Sequence, residues 1–188
     1  LWPELPREMG VITNPIILTL MSMLEWVAYK SADALIGLSP GIKKGIERFG
    51  IPDDKVAMIP NGCDIELFDI KDKAWQPDGV GDNDLMAVFT GTHGIANGLD
   101  IVLETAKVLK KLKRDDIKLV LVGQGKLKPQ LIKTSNENDL KNIIFLNPVD
   151  KRKLAQLLLR ADVGLQLLAN VPAFYYGTSP NKFFDYIA

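Results

Sequence analysis

The run Ile117-Lys118-Leu119-Val120-Leu121-Val122 carries a single polar residue and leads straight into Gly123-Gln124-Gly125. A strand with one wet face alternates apolar and polar side chains. A nearly unbroken apolar run needs cover on both faces, which in practice means a parallel sheet between layers of helix. The surrounding chain predicts those helices and further strands. Leu99, Val102, Leu103, Ala106 and Leu109 recur at helical spacing within a helix expected over 98–113. Strands are expected at 85–89, 143–146 and 163–168, with a short helix over 127–133. Asp150 is placed to cap a helix carrying Leu154, Leu157, Leu158 and Ala161, and Ser179-Pro180 to open a last one.

The first third of the chain reads the same way. Asn14 and Pro15 open a helix through Lys30, a short strand covers 34–38, and Ser39-Pro40 starts a helix ended by Gly50. A strand at 56–59 closes on the turn Pro60-Asn61-Gly62, completing one βαβ unit. Strands alternating with amphipathic helices give an α/β fold built on doubly wound parallel sheets. Residues 65–84 lack apolar periodicity and accumulate charge, Pro77, Gly79 and Gly81, so they read as a linker. Trp75 within it is expected to pack on a flanking domain. The organisation is therefore the end of a first domain (1–64), a linker (65–84) and a second, truncated Rossmann-like domain (85–188). From the opening without Met and the close inside a helix, a piece of a longer protein is expected.

Composition narrows the function. Twenty-three basic and 23 acidic residues leave no surplus with which to hold nucleic acid. One cysteine, Cys63, and one histidine, His93, exclude a disulfide framework and any Cys- or His-rich metal site. The apolar stretch from Pro15 to Leu24 stops at Glu25, well short of the ~20 residues a membrane span needs.

In doubly wound sheets, ligands bind at the carboxyl ends of the strands. The loop Thr90-Gly91-Thr92-His93-Gly94 opens there, and its glycines let backbone amides approach an anion such as a diphosphate. A bare strand-to-helix turn has the same composition. His93 is by default a solvated loop residue, although beside a phosphate it can donate to an oxygen. Known nucleotide fingerprints are missing. Counted from Gly91, the G-x-G-x-x-G pattern meets His93 and Ala96; counted from Gly123, it meets Lys128, and no P-loop occurs. Lys182 and Asp185, three apart, share a face of the final helix. They offer an ammonium to phosphate and two acceptors to a ribose diol, or else a surface salt bridge.

Several segments then resemble, in order, the motifs of retaining GT-B glycosyltransferases of the group 1/GT4 family. Val56 to Asp64, ending near Phe68, resembles "vipNGvD…F", which lies at that family's domain junction. Leu1-Trp2-Pro3-Glu4 resembles "DlWPe", Ser39-Pro40-Gly41 "lSpg", and Leu119 to Gly125 "llvGdGp". Asn142 to Leu146 resembles "nvifl", and Ser179 to Ala188 "sPsKlfeYmA". The series is similar to the bacterial subgroup of WbuB-type N-acetyl-fucosamine transferases.

The resemblance implies transfer of a sugar, with retention, from a nucleotide-sugar donor, most often a UDP-sugar. The acceptor would be lipid-linked or a saccharide, in surface polysaccharide (O-antigen) biosynthesis. A GT-B epimerase and a binding module without transfer share the same motifs. The resemblance also implies that Gly91, Thr92, His93 and Gly94 support the diphosphate, with Lys182 as the motif lysine. Asp185 would hold the ribose, and the loop Asn147-Pro148-Val149-Asp150 the base. No metal or other cofactor is implied. The setting would be cytoplasmic, with peripheral membrane contact through the remainder of the first domain. Two family features are absent. Thr92 and Asn97 stand where many relatives carry Arg and Lys, and Gly177 stands where the first of two glutamates belongs. Donor-sugar contacts are expected instead from Ala173-Phe174-Tyr175-Tyr176.

Overall fold

The computed structural model describes residues 3–69 and 73–188, so Leu1 and Trp2 of the first motif lie outside it. Two compact units are present. The first comprises Leu1–Gly62 with Asn170–Asn181, and the second Cys63–Ala169 with Lys182–Ala188.

In the first unit, strands β1 (Leu35–Gly37) and β2 (Val56–Met58) pair in parallel, with Leu35 opposite Val56. Helix α1 (Glu4–Glu8) precedes α2 (Pro15–Ser31), where the Asn14 side chain accepts from the amides of Ile16 and Ile17. Helix α3 (Pro40–Glu47) connects the two strands; the Ser39 hydroxyl caps it by accepting from Ile42 N–H. Gly50, at φ +69°, turns the chain after it. Ile46, Ile51 and Val56 form a small core with Tyr29 and Phe49 against it. Glu25, on α2, is buried, and burial together with the nearby Glu4 pushes its pKa up. The segment 170–181 packs here as well. Ala173 N–H is donated to Glu8, and Asn61 N–H to the Ser179 hydroxyl at 3.0 Å. That hydroxyl was expected to cap the final helix, which instead starts at Asn181.

The second unit is a four-stranded parallel sheet of β3 (Leu85–Thr90), β4 (Ile117–Val122), β5 (Ile143–Leu146) and β6 (Val163–Gly164), in the order β5-β4-β3-β6. Helices α4 (Asp100–Lys111), α5 (Lys128–Glu137), α6 (Lys151–Arg160) and α7 (Asn181–Ile187) complete it. The apolar runs divide as their two-residue period requires. Ala87, Phe89, Leu119 and Leu121 enter a core with Leu99, Val102, Leu103, Ala106 and Leu131 of the α4 and α5 side. Met86, Val88, Val120 and Val122 face Leu157 of α6 with Trp75 and Val80. Trp75 packs as expected, its N–H donated to Gln156 C=O and its ring under the Lys153 ammonium at 4.3 Å. Arg160 fastens the segment 76–84 to α6 by donating to Gln76 Oε1 and to the carbonyls of Gly81 and Asp84.

Asp150 caps α6 as expected, accepting from Lys153 N–H at 2.8 Å. Several boundaries differ, among them that of α5, which runs to Glu137 rather than ending at 133. Helix α4 begins at Asp100, after a 3₁₀ turn (Ile95–Asn97) and Gly98 in the left-handed region, because Ala169 crowds that point. Strand β6 pairs over only two residues rather than six. No helix among the described residues is long and apolar enough to cross a membrane.

Candidate functional site

The strand order reverses between β3 and β6, since β4 lies on one side of β3 and β6 on the other. The carboxyl ends of the strands open a crevice of about 340 Å³ lined by Thr90, Gly91, Thr92, Val122, Gly123, Gln124, Pro148, Val149 and Leu154. That volume suits a small organic ligand. A cavity in the first unit, against Glu25 and Tyr29, measures about 120 Å³ and is too small for one.

Glycines make the crevice floor. A Cβ on Gly123 would stand 1.9 Å from the Gly91 carbonyl oxygen, and one on Gly125 would stand 2.4 Å from the His93 carbonyl oxygen. The two loops therefore touch backbone to backbone. Gly91 N–H is donated to Val122 C=O and His93 N–H to Gln124 C=O. The amides of Thr92 and Gly94 meet no acceptor among the described residues. An anion entering the loop would thus find Thr92 and Gly94 N–H rather than all four expected groups. The 3₁₀ turn holds this loop shut, with Asn97 Nδ2 donating to Thr92 C=O at 2.6 Å.

His93 is not a solvated loop residue. Its imidazole is fully buried between the Phe89 and Phe145 rings, and neither ring nitrogen has a hydrogen-bond partner among the described residues. Burial, with the Lys128 ammonium adding repulsion, pushes its pKa down to about 4, so the ring is neutral near pH 7. It underpins the loop rather than facing a ligand.

Lys182 and Asp185 do not pair. The Lys182 ammonium lies 4.0 Å above the Phe89 ring and 3.2 Å from Asn97 Oδ1, beside Gly91 at the mouth of the crevice. It meets no carboxylate among the described residues, and burial pushes its pKa down to about 8. Asp185, 8% exposed, instead accepts from Lys151 at the first turn of α6. Of the expected set, Gly91, Thr92 and Val149 line the crevice, and Asn97 with Lys182 flanks the loop. Gly94 ends the loop, Asp185 lies on α7, and His93 is beneath.

Three residues escaped the sequence reading. Lys128, which breaks the glycine fingerprint, is buried; its ammonium donates to the carbonyls of Gly123 and Leu146 and to Asn147 Oδ1, tying β4 to β5. Tyr186 accepts Thr90 N–H at 2.9 Å and donates to Leu165 C=O, bridging the switch point. Gly164 makes room for its ring. Lys151 is the third. Lys128 carried a signal in its departure from the glycine pattern and Tyr186 in its match to the motif tyrosine, whereas Lys151 had none. Among the described residues, no three His, Cys, Asp or Glu side chains converge where an ion could sit.

The sequence matches two family models, "Glycosyl transferases group 1" over residues 71–169 and "Glycosyltransferase Family 4" over 11–67. It is 29% identical over 135 residues to the O-antigen chain mannosyltransferase C of Escherichia coli, covering 68% of this chain and 33% of that protein. The fold is similar to WaaG, a glycosyltransferase involved in lipopolysaccharide biosynthesis, with TM-score 0.66 and 14% identity over 88% of this chain and 45% of that one. It is also similar to Anabaena HepE in complex with UDP, with TM-score 0.58 and 15% identity over 82% and 43% of the two chains. The chain spans about a third of the length of the curated relatives it matches.

Proposed function

The chain belongs to the group 1 glycosyl transferases, and on that premise we propose that its second unit binds the nucleotide-sugar donor of a retaining transferase. A UDP-sugar is the donor we favour. One observation carries the reading. Among the described residues, the Lys182 ammonium has no carboxylate partner and stands beside Gly91 at a loop whose Thr92 and Gly94 N–H groups are open. Buried Lys128 adds a second cation, which among the described residues donates to carbonyl and amide oxygens alone. Positive charge held in place before the leaving diphosphate forms is what stabilises it without reorganisation, and no metal is required for that role.

The remaining parts of a nucleotide fit around this point. Pro148, Val149 and Leu154 give the crevice an apolar end suited to a base. Asp185 follows Lys182 by three residues on α7, a rise of about 4.5 Å, which suits a ribose between base and diphosphate. UDP in the HepE structure supports the choice of base. The mannosyltransferase and WaaG support a saccharide or lipid-linked acceptor and a place in surface polysaccharide assembly. The WbuB-type subgroup and retention of configuration belong to this proposal, as does a position at the inner face of the cytoplasmic membrane.

Asp185→Asn tests it. Losing a charge-assisted bond to a ribose hydroxyl costs about 1.5–3 kcal/mol, so UDP affinity falls at least about tenfold. Asp150→Asn keeps the α6 cap, because asparagine caps as well as aspartate, and lowers affinity less than Asp185→Asn does. Equal UDP affinity in the wild type and Asp185→Asn removes Asp185 from the site.

A further inference from the structure

Asp185 does not stand free for a ligand. Both of its carboxylate oxygens accept from one ammonium, Lys151 Nζ, at 3.0 Å for Oδ1 and 2.9 Å for Oδ2. The partners differ in exposure. Asp185 is buried on α7, while the Lys151 side chain is 55% exposed and reaches in from the first turn of α6. Lys151 directly follows the Asp150 cap and the loop that supplies Pro148 and Val149 to the crevice. The pair therefore joins the helix carrying Lys182 to the apolar end of the crevice.

A carboxylate offers about four lone-pair positions. One ammonium spanning both oxygens takes one on each and fixes the plane of the group. The other position on each oxygen is left for two more donors, the number a ribose 2′,3′-diol supplies. We propose that Lys151 is a positioning residue that orients Asp185 toward the ribose and thereby sets the preference for ribo- over 2′-deoxyribonucleotides. The proposal rests on the nucleotide-sugar reading above. Lys151 acts through Asp185: without the ammonium the carboxylate can rotate about χ2, and its two free acceptors no longer face a diol together.

The test compares UDP, 2′-deoxy-UDP and inorganic pyrophosphate by calorimetry in the wild type, Lys151→Met and Lys151→Arg. The wild type is expected to prefer UDP over 2′-deoxy-UDP by about tenfold, the worth of one charge-assisted bond. In Lys151→Met this ratio collapses toward one while pyrophosphate affinity stays at the wild-type value. Lys151→Arg, which can hold the carboxylate with two parallel N–H groups, restores the ratio. An unchanged ratio in Lys151→Met overturns the proposal while leaving donor binding intact. So does an equal loss for UDP and 2′-deoxy-UDP with a lowered melting temperature, which marks the pair as a helix staple. A wild type that binds neither nucleotide overturns both this inference and the donor site beneath it.

Discussion

Acid should destabilise the second unit through His93. The imidazole is fully buried, its nitrogens are unpartnered, and its pKa is about 4 against an ordinary 6.5. The folded state binds this proton less readily than the unfolded chain, so stability is complete above pH 6.5 and is lost as pH falls toward 4. At pH 5 the unfolded imidazole is almost fully protonated and the folded one barely, a difference of about 2 kcal/mol; by pH 4, where the folded ring is half protonated, the difference reaches about 3 kcal/mol. For a domain of this size that is a large part of the total stability. Urea unfolding followed by the fluorescence of Trp75, in a background where Trp2 and Trp26 are replaced by Phe, measures it at pH 7.5, 6, 5 and 4. Carboxylates titrate in the lower part of the window, so the quantity to read is the difference between the wild type and His93→Gln, which keeps a polar side chain without a titrating ring. The variant's stability should fall less steeply, by about 2 kcal/mol between pH 7.5 and 5. Parallel pH profiles for the two proteins would refute the argument that burial holds this ring neutral.

Gly123→Ala should abolish UDP binding and cost at least about 2 kcal/mol, since it combines φ +148° with a Cβ 1.9 Å from the Gly91 oxygen. Gly62→Ala, with nothing within 4 Å of its Cβ, should change neither melting temperature nor affinity. Lys182, with a pKa of about 8, should make UDP binding weaken as pH rises: the ammonium is the binding form, and affinity drops by about tenfold between pH 7 and 9. Lys182→Arg should flatten that profile in the same titration, and a flat wild-type profile would take Lys182 away from the diphosphate.

The parts of the fold governed by local periodicity were legible. Val120 and Val122 alternate with Leu119 and Leu121 between two helical layers, and strand β4 has the bounds its apolar run implied. Asn14, Ser39 and Asp150 all cap as their positions required. What escaped depends on partners distant in sequence. Ser179 has the right place for a cap, but its hydroxyl accepts from Asn61, 118 residues earlier. Strand β6 reads as six residues, yet only Val163 and Gly164 pair with β3. The site divides in the same way. The glycine loop was visible in composition, whereas the burial of His93 depends on Phe145, whose ring meets the imidazole from strand β5. Helical spacing joined Lys182 to Asp185, but the structure sends one to Asn97 and the other to Lys151, 34 residues away.

The central claim is that this crevice holds a nucleoside diphosphate by protein charge and backbone amides alone. Calorimetric titration of the chain with UDP in the presence of EDTA tests it most directly. The account predicts saturable binding of one UDP per chain, with the same affinity when magnesium or manganese is supplied instead. No heat of binding from a folded sample, or binding that appears only with the metal, would contradict it.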